Sequence, residues 1–586
     1  MAGPPARTRP TGRRPAGAPG NRVKAALRSA SARERPGLHG MAVRDGRSRT
    51  GVVMARWWNR SGIGGRTRKA VRRTAVALDG RAPLFDGLRG LLRKIFPDHW
   101  SFLLGELALY SFVVLLLTGV FLTMYFQPSM AETVYNGPYA PLRGVLVSEA
   151  YSSTLAISFE VRGGLLIRQI HHWAALVFTS AIGVHLLRIF FTGAFRRPRE
   201  VNWLVGLTLF QLSLLEGFAG YSLPDDLLSG TGLRTAQGFI LSVPLVGTWL
   251  SYLLFGGDFP GQILIPRLYT THILLLPGAL AGLITLHLLL VFALGHTQWA
   301  GPGRNNRNVV GKPLYPLFLL KTNGLLAMVF GVLALVSAIG QINPVWRYGP
   351  YRPDQASTDA QPDWYMGFIE GALRLMPGAE TRLWGHSIPW NPLIPAVLFP
   401  LGFFAALYAY PFLERWVTGD LGPQHLCDRP RNQPTRTGIG VAGFSFYVIL
   451  LLAGAQDVIA RTFAVSVEGL DRVLRALVFV VPVVAFWVTK RVCLGLQQVD
   501  RERLAEGEES GFIRASVEGG FHESSHSLTD RRRFTLAART VPRPLPRPVA
   551  GASRLARLRA ALSSWYYRDR VDFPEPREDT VPSERP

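Results

Sequence analysis

Apolar runs long enough to cross a lipid bilayer recur along this 586-residue chain, and no other feature restricts its fold so strongly. About 20 apolar residues in helical form suffice to span the hydrocarbon core. Runs of that order cover 103–126, 170–192, 203–221, 268–294, 315–341, 391–413, 438–460 and 473–493. Lipid offers the backbone no hydrogen-bond partners, so these runs are expected to be helices. The sequence predicts an all-α integral membrane protein with eight transmembrane helices. The stretch FILSVPLVGTWLSYLLF (238–254) is shorter and carries Pro244 and Gly247; it reads as a surface-lying or re-entrant piece.

The net charge of +26 is concentrated in the Arg-rich first 95 residues, whose Arg/Pro/Gly/Ala content predicts disorder. Beside a membrane domain, such a flank favours anionic lipid over nucleic acid. No signal-peptide pattern precedes the first run, and Met41 and Met54 are alternative starts that the sequence leaves open. Only two cysteines occur, Cys427 and Cys493, which excludes a disulfide framework and a Cys-x-x-Cys-His haem attachment.

Short basic loops favour the cytoplasmic side. With the N-terminus inside, the loops 188–202, 295–314 and 415–437, with their arginines, all fall inside. Eight spans return the polar tail, 494–586, to the same side. Its piece RLARLRAALSSW is basic and amphipathic and is expected on the membrane surface.

Histidines break this apolar pattern, and ionisable residues at membrane depth are costly. His171 and His185 in the second run are fourteen residues apart. On a helix that separation is about 40° short of four turns, with a rise of about 21 Å. His272 and His287 in the fourth run are fifteen apart, about 60° past four turns and about 22 Å in rise. Runs two and four point the same way, so their histidines can pair at two depths. Structural zinc wants four ligands; two per level suit the axial positions of a haem iron. Gly105 and Gly119 in run one, and Gly206 and Gly220 in run three, repeat the fourteen-residue pitch. Glycine lets a flat macrocycle approach the backbone.

Each piece alone has a plainer reading: a histidine hydrogen-bonded across helices, or a small-residue helix contact. Four elements sharing one pitch favour a four-helix cage around two stacked macrocycles. Of the doublet, His171 gives the partner spacing, and His172 is left spare. Arg168, Arg188 and Arg267 flank the levels; they suit either haem propionates or snorkelling to the interface.

Over roughly residues 96–493 the sequence resembles the cytochrome b subunit of bc complexes. The glycine spacing, Arg168-x-x-His171, His185-x-x-Arg188, Gly220-Tyr221-x-Leu223-Pro224, Arg267, the His272/His287 pair and Pro362-Asp363-Trp364-Tyr365 carry the resemblance in order. It implies an eight-helix bundle, usually dimeric. Residues 96–300 would be the dihaem four-helix bundle and 301–493 the C-terminal helices with the quinol-site loop. His171 and His272 would hold the haem b near the outer face, and His185 and His287 the one near the inner face. A quinol is oxidised near the outer face. One electron goes to a Rieske iron–sulfur partner. The other crosses through the haems to an inner quinone site. This Q cycle translocates protons.

The resemblance places Tyr221, Asp363 and Tyr365 in the outer quinol pocket, with Trp364 as a loop anchor, and His296, Lys321 and Asn323 near the inner quinone. Asp363 stands where the family commonly has Glu. Thr322 stands where mitochondrial forms have Asp. The fifteen-residue spacing matches photosynthetic b6 relatives, although here both halves are fused. Pro-Asp-Trp-Tyr, GYSLPDDLLSGTGLR and the long basic ends are most similar to the actinobacterial type. That type uses menaquinol and works with a dihaem cytochrome c and an aa3 oxidase in one assembly, at the plasma membrane. Rival readings are a dihaem anchor of a quinone-reducing dehydrogenase and a transporter with structural histidines. His522-Glu523-Ser524-Ser525-His526 matches a zinc-protease pattern, but no apolar helical periodicity surrounds it, so it is expected to bind no metal.

Overall fold

The computed structural model describes residues 90–573 apart from 258, 260, 356–360, 384, 538–542, 550 and 570. Most of the basic extension, and its expected disorder, therefore lies outside the described residues. Its last residues do not fit that expectation, because Ile95–Phe96 pairs antiparallel with Lys312–Pro313.

Eight helices among the described residues are long and apolar enough to cross a membrane. They are Trp100–Thr123, Gly164–Phe191, Glu200–Tyr221, Leu264–Leu294, Leu314–Ile339, Trp390–Thr418, Pro434–Gly454 and Val467–Glu506, called the first to eighth spans below. The eighth helix outruns its predicted end. Residues 494–506 keep good helix formers, and buried Asp500 accepts ion pairs from Arg429 (3.4 Å) and Arg431 (3.0 Å). The stretch 238–254 forms no helix long enough to be counted among these spans. It is split between the helices Leu227–Leu241 and Gly247–Phe255. A Cβ on Gly247 would lie 2.5 Å from the Ile240 carbonyl oxygen, so the tight turn between them needs glycine.

The first four spans close around a shared core of Ala108, Phe112, Phe178, Ala181, Val205, Leu209 and Leu280. This core contains residues from all four helices and sits between the two histidine levels. The fifth span packs on the first two through Val114, Ile170, Ala174, Val329 and Leu333. The boundary at residue 300 is thus no break in packing. The helix Gly367–Leu375 lies against the seventh and eighth spans.

The fourth span contains one π-helical turn, Thr271–Leu275, where the Leu276 N–H reaches back five residues to the Thr271 carbonyl. A π-bulge takes up one extra residue within a helix. Taking up that residue's turn of about 100° converts the roughly 60° excess of a straight helix into the roughly 40° shortfall of the His171/His185 pair, so a fifteen-residue spacing does the work of fourteen.

The end of the bundle carrying the 192–199, 295–313 and 419–433 connections is called the basic end here. The tail is not a loose appendage at that end. The helix Arg554–Tyr566 docks on the bundle: the Thr435 hydroxyl donates to the Tyr566 carbonyl (2.7 Å), and the Tyr566 hydroxyl to Glu414 (3.2 Å). Beneath it, fully buried Arg436 pairs with Glu414 (2.5 Å) and Asp428 (2.8 Å). The expected membrane-surface helix is thus held by protein, because Ser563 and Tyr566 on its inner face are buried. His522 and His526 lie on the exposed strand Phe521–His526 of a hairpin, and no cluster of metal-ligating side chains occurs among the described residues.

At the opposite end, Asp225 and Asp226 are buried. Ser148 donates to Asp225 (2.6 Å) and Ser229 to Asp226 (2.6 Å). Burial raises the Asp225 carboxyl from 3.8 to about 7. The folded chain then holds this proton more tightly than the unfolded chain. Its contribution is full below about pH 4 and is lost as pH rises to about 7. Asp225→Asn keeps an acceptor for Ser148 and removes the ionisation. The gain in melting temperature over wild type is expected to be several degrees at pH 8 and smaller at pH 5, measured by thermal unfolding in detergent.

Candidate functional site

The two histidine levels form as the spacing predicts. His171 and His272 have ring centres 6.1 Å apart with planes at 77°, and His185 and His287 are 6.5 Å apart at 73°. A metal bound on one nitrogen of each ring, with bonds of about 2 Å, needs ring centres roughly 6 Å apart. Both pairs meet this requirement. The upper rings are oriented through Nδ1: His171 by the Thr118 hydroxyl (2.9 Å) and His272 by the Glu216 carboxylate (3.0 Å). Such partners fix the tautomer and leave Nε2 for the metal.

Each predicted glycine lies beside one of these rings. A Cβ would fall 3.3 Å from His171 at Gly119, 2.4 Å from His272 at Gly220, 3.2 Å from His185 at Gly105 and 3.7 Å from His287 at Gly206. The glycines therefore first make room for the imidazoles, on the neighbouring helix at the same depth. Space for a macrocycle edge follows from that placement.

A cavity of about 270 Å³ opens at the upper level, lined by both upper histidines, Gly119, Gly220 and Arg168. Arg168 is well suited to an anion there. Its Nη2 donates to the Asn343 carbonyl (2.9 Å), but its buried Nε has no partner. Arg188 has an unpartnered Nε as well, with its guanidinium 4.3 Å over the Phe102 ring. Arg267 departs from the expectation. It is exposed, donates to the Leu253 carbonyl (2.7 Å) and is not among the residues lining the cavity. For this arginine the surface reading holds.

The same cavity continues to Tyr221, Asp363 and Tyr365. The Tyr365 hydroxyl donates to Asp363 Oδ2 (2.9 Å), and His172 Nε2 lies 3.2 Å from both carboxylate oxygens. His172, spare in the sequence reading, thus belongs to the site. One residue beyond His171, it is turned by about 100° on the helix, toward the loop after the fifth span. Tyr221 stands across the pocket and donates to the Gln361 carbonyl (3.4 Å). Trp364, read as the loop's anchor, is 38 % exposed and meets Tyr365 edge-on.

The three residues expected at the inner site have different surroundings. His296 is half-buried, edge-on against Phe96 (5.1 Å) and Phe102 (5.9 Å), and desolvation beside Arg188 lowers its pKa to about 4. Lys321 pairs with Asp98 (2.5 Å), which also holds Lys312 (2.5 Å). These two lysines hold the Asp98 carboxyl at about 2. Asn323 is exposed. Thr322 is buried and donates to Glu106, a lone acid in the first span that sequence reading passed over.

A family model described as cytochrome b (N-terminal)/b6/petB matches residues 176–350. The chain is 52% identical over 518 residues to the cytochrome bc1 complex cytochrome b subunit of Streptomyces coelicolor, covering 86% of this chain and 94% of that one. The subunit of the same name from Mycobacterium tuberculosis is 52% identical over 461 residues, covering 78% and 84%. The one from Corynebacterium diphtheriae is 48% identical over 480 residues, covering 81% and 86%. Among solved structures, a chain of a hyperthermophilic respiratory Complex III superposes with a TM-score of 0.53 at 22% identity, over 72% of this chain and 98% of that one. At that identity the likeness concerns the fold.

Proposed function

Because the chain belongs to the cytochrome b subunits of cytochrome bc1 complexes, and so to quinol–cytochrome c oxidoreductase, we propose that it oxidises menaquinol in the Asp363 pocket and reduces quinone at the basic end. The observation that carries this reading is the stacking of two imidazole pairs at metal-binding distance, the upper one opening into the pocket that holds Asp363. His171 with His272, and His185 with His287, would each hold a haem b, and Arg168 and Arg188 would face propionates. When bound, the two haems supply the electron path between the ends of the bundle.

The protein's part at the pocket is to bind the quinol and take its proton. Oxidation of a quinol to a quinone releases two protons and two electrons. Asp363 lines the cavity and accepts one of these protons at a carboxylate oxygen, where general-base geometry requires hydrogen-bond reach. Tyr365 and His172 grip the carboxylate and hold it in place. The shorter side chain of Asp is thereby fixed from two sides, and Tyr221 faces the substrate from the third span.

By the positive-inside rule the basic end and both termini lie in the cytoplasm and the Asp363 pocket opens outward, in the plasma membrane. The partners proposed are a Rieske iron–sulfur protein, which takes the first electron, a dihaem cytochrome c, an aa3 oxidase and a second copy of the chain. A dithionite-reduced minus oxidised spectrum tests the reading. Two b-type haems per chain are expected; a colourless protein would contradict it and favour a transporter.

A further inference from the structure

Asp457 lies in the first turn of the helix Gln456–Phe463, between the seventh and eighth spans. Its carboxylate gathers both flanks of the Asp363 loop. On the leading side, the Gln361 side-chain amide donates to both of its oxygens (2.8 and 3.0 Å). On the trailing side, Arg374 of the helix Gly367–Leu375 pairs with it (3.0 Å) and also with Glu370. None of these four residues is among those lining the cavity. An ion pair this near the surface, with Arg374 20% and Asp457 30% exposed, adds little to stability. What sets this one apart is the segment it holds. Gln361 stands two residues before Asp363. Its carbonyl accepts from Tyr221, which does line the cavity. Pro362 joins Gln361 to Asp363; it fixes its own φ and keeps Gln361 extended. A shift of Gln361 is therefore passed on to Asp363, not absorbed. Tyr365 and His172 grip the Asp363 carboxylate directly, but they can do so only where the backbone delivers it.

We propose that Asp457 is a positioning residue for quinol oxidation: by holding Gln361 and Arg374 together it sets where the Asp363 backbone stands in the pocket. This rests on the function proposed above. Asp457 exchanges no proton and touches no quinol. Its loss leaves the base present but set back from the quinol hydroxyl, and proton transfer needs hydrogen-bond reach. The chemical step suffers, whereas quinol binding does not, because the cavity walls are made by other residues.

The test is Asp457→Leu in the whole complex, assayed for turnover against the concentration of a menaquinol analogue, alone and combined with Asp363→Asn. Both haems and an unchanged KM are expected, with kcat lowered about tenfold. Asp457→Glu is expected to recover part of that loss, since it restores a carboxylate to Gln361 and Arg374. In the Asp363→Asn background, Asp457→Leu is expected to cost less than about twofold more, because a residue that acts through Asp363 then has no base to position. A wild-type kcat in Asp457→Leu, or the same loss in both backgrounds, would overturn the proposal. If Asp457→Leu fails to assemble, Gln361→Leu decides, since it leaves the Asp457–Arg374 pair in place. It is expected to lower kcat with the same dependence on Asp363, and a wild-type kcat overturns the assignment. Normal turnover in Asp363→Asn would refute the function proposed for the pocket, whereas normal turnover in Asp457→Leu alone refutes only the role of Asp457.

Discussion

Replacing His185 with leucine is expected to leave a chain with one b-type haem instead of two. Leucine fills the volume but offers no lone pair, and the lower level has only His287 besides it. The upper level should survive. Its ligands are held separately by Thr118 and Glu216, and the core of Phe112, Phe178 and Leu280 lies between the levels. The reduced-minus-oxidised amplitude should fall to half, and steady-state quinol oxidation should drop steeply once the remaining haem has no outlet. Gly105→Val should have the same phenotype, because a Cβ there already lies 3.2 Å from the His185 ring. Full haem content in both variants would mean that His185 is a structural residue.

Asp363→Asn should retain both haems and lower quinol oxidation by about a hundredfold, the scale of a lost general base. The amide can still accept from Tyr365 and His172, so the loop should keep its shape. Turnover with a menaquinol analogue, measured beside the haem spectrum, separates loss of chemistry from loss of fold. Unchanged turnover would remove Asp363 from its role. His172→Gln should have a smaller effect, since it removes one of two groups that position the carboxylate.

Much of this architecture could be read from the sequence because membrane physics leaves few choices. An apolar run of the right length must be a helix, and a helix turns a residue spacing into a depth and a face. Thus His171, His185 and the four glycines could be placed without coordinates. The fourth span needed the structure: only the π-turn at Thr271–Leu275 shows how a fifteen-residue spacing remains in phase. The two ends were harder. Arg267 and Arg168 look alike in sequence, yet one is exposed and the other is half-buried in the cavity wall, because loop packing decides it. His172 acquires a role only when the loop after the fifth span folds back onto the second. Glu106 finds its partner 216 residues away. Such pairings depend on tertiary contacts that no local pattern encodes. The docking of Arg554–Tyr566 is similar: its amphipathic pattern was visible, but the surface that covers its inner face was not.

A density map of the purified complex addresses the central claim most directly. The account predicts a flat macrocycle with a central metal between His171 and His272, and a second between His185 and His287. Side chains packed through that interior, with no tetrapyrrole at either level, would contradict it.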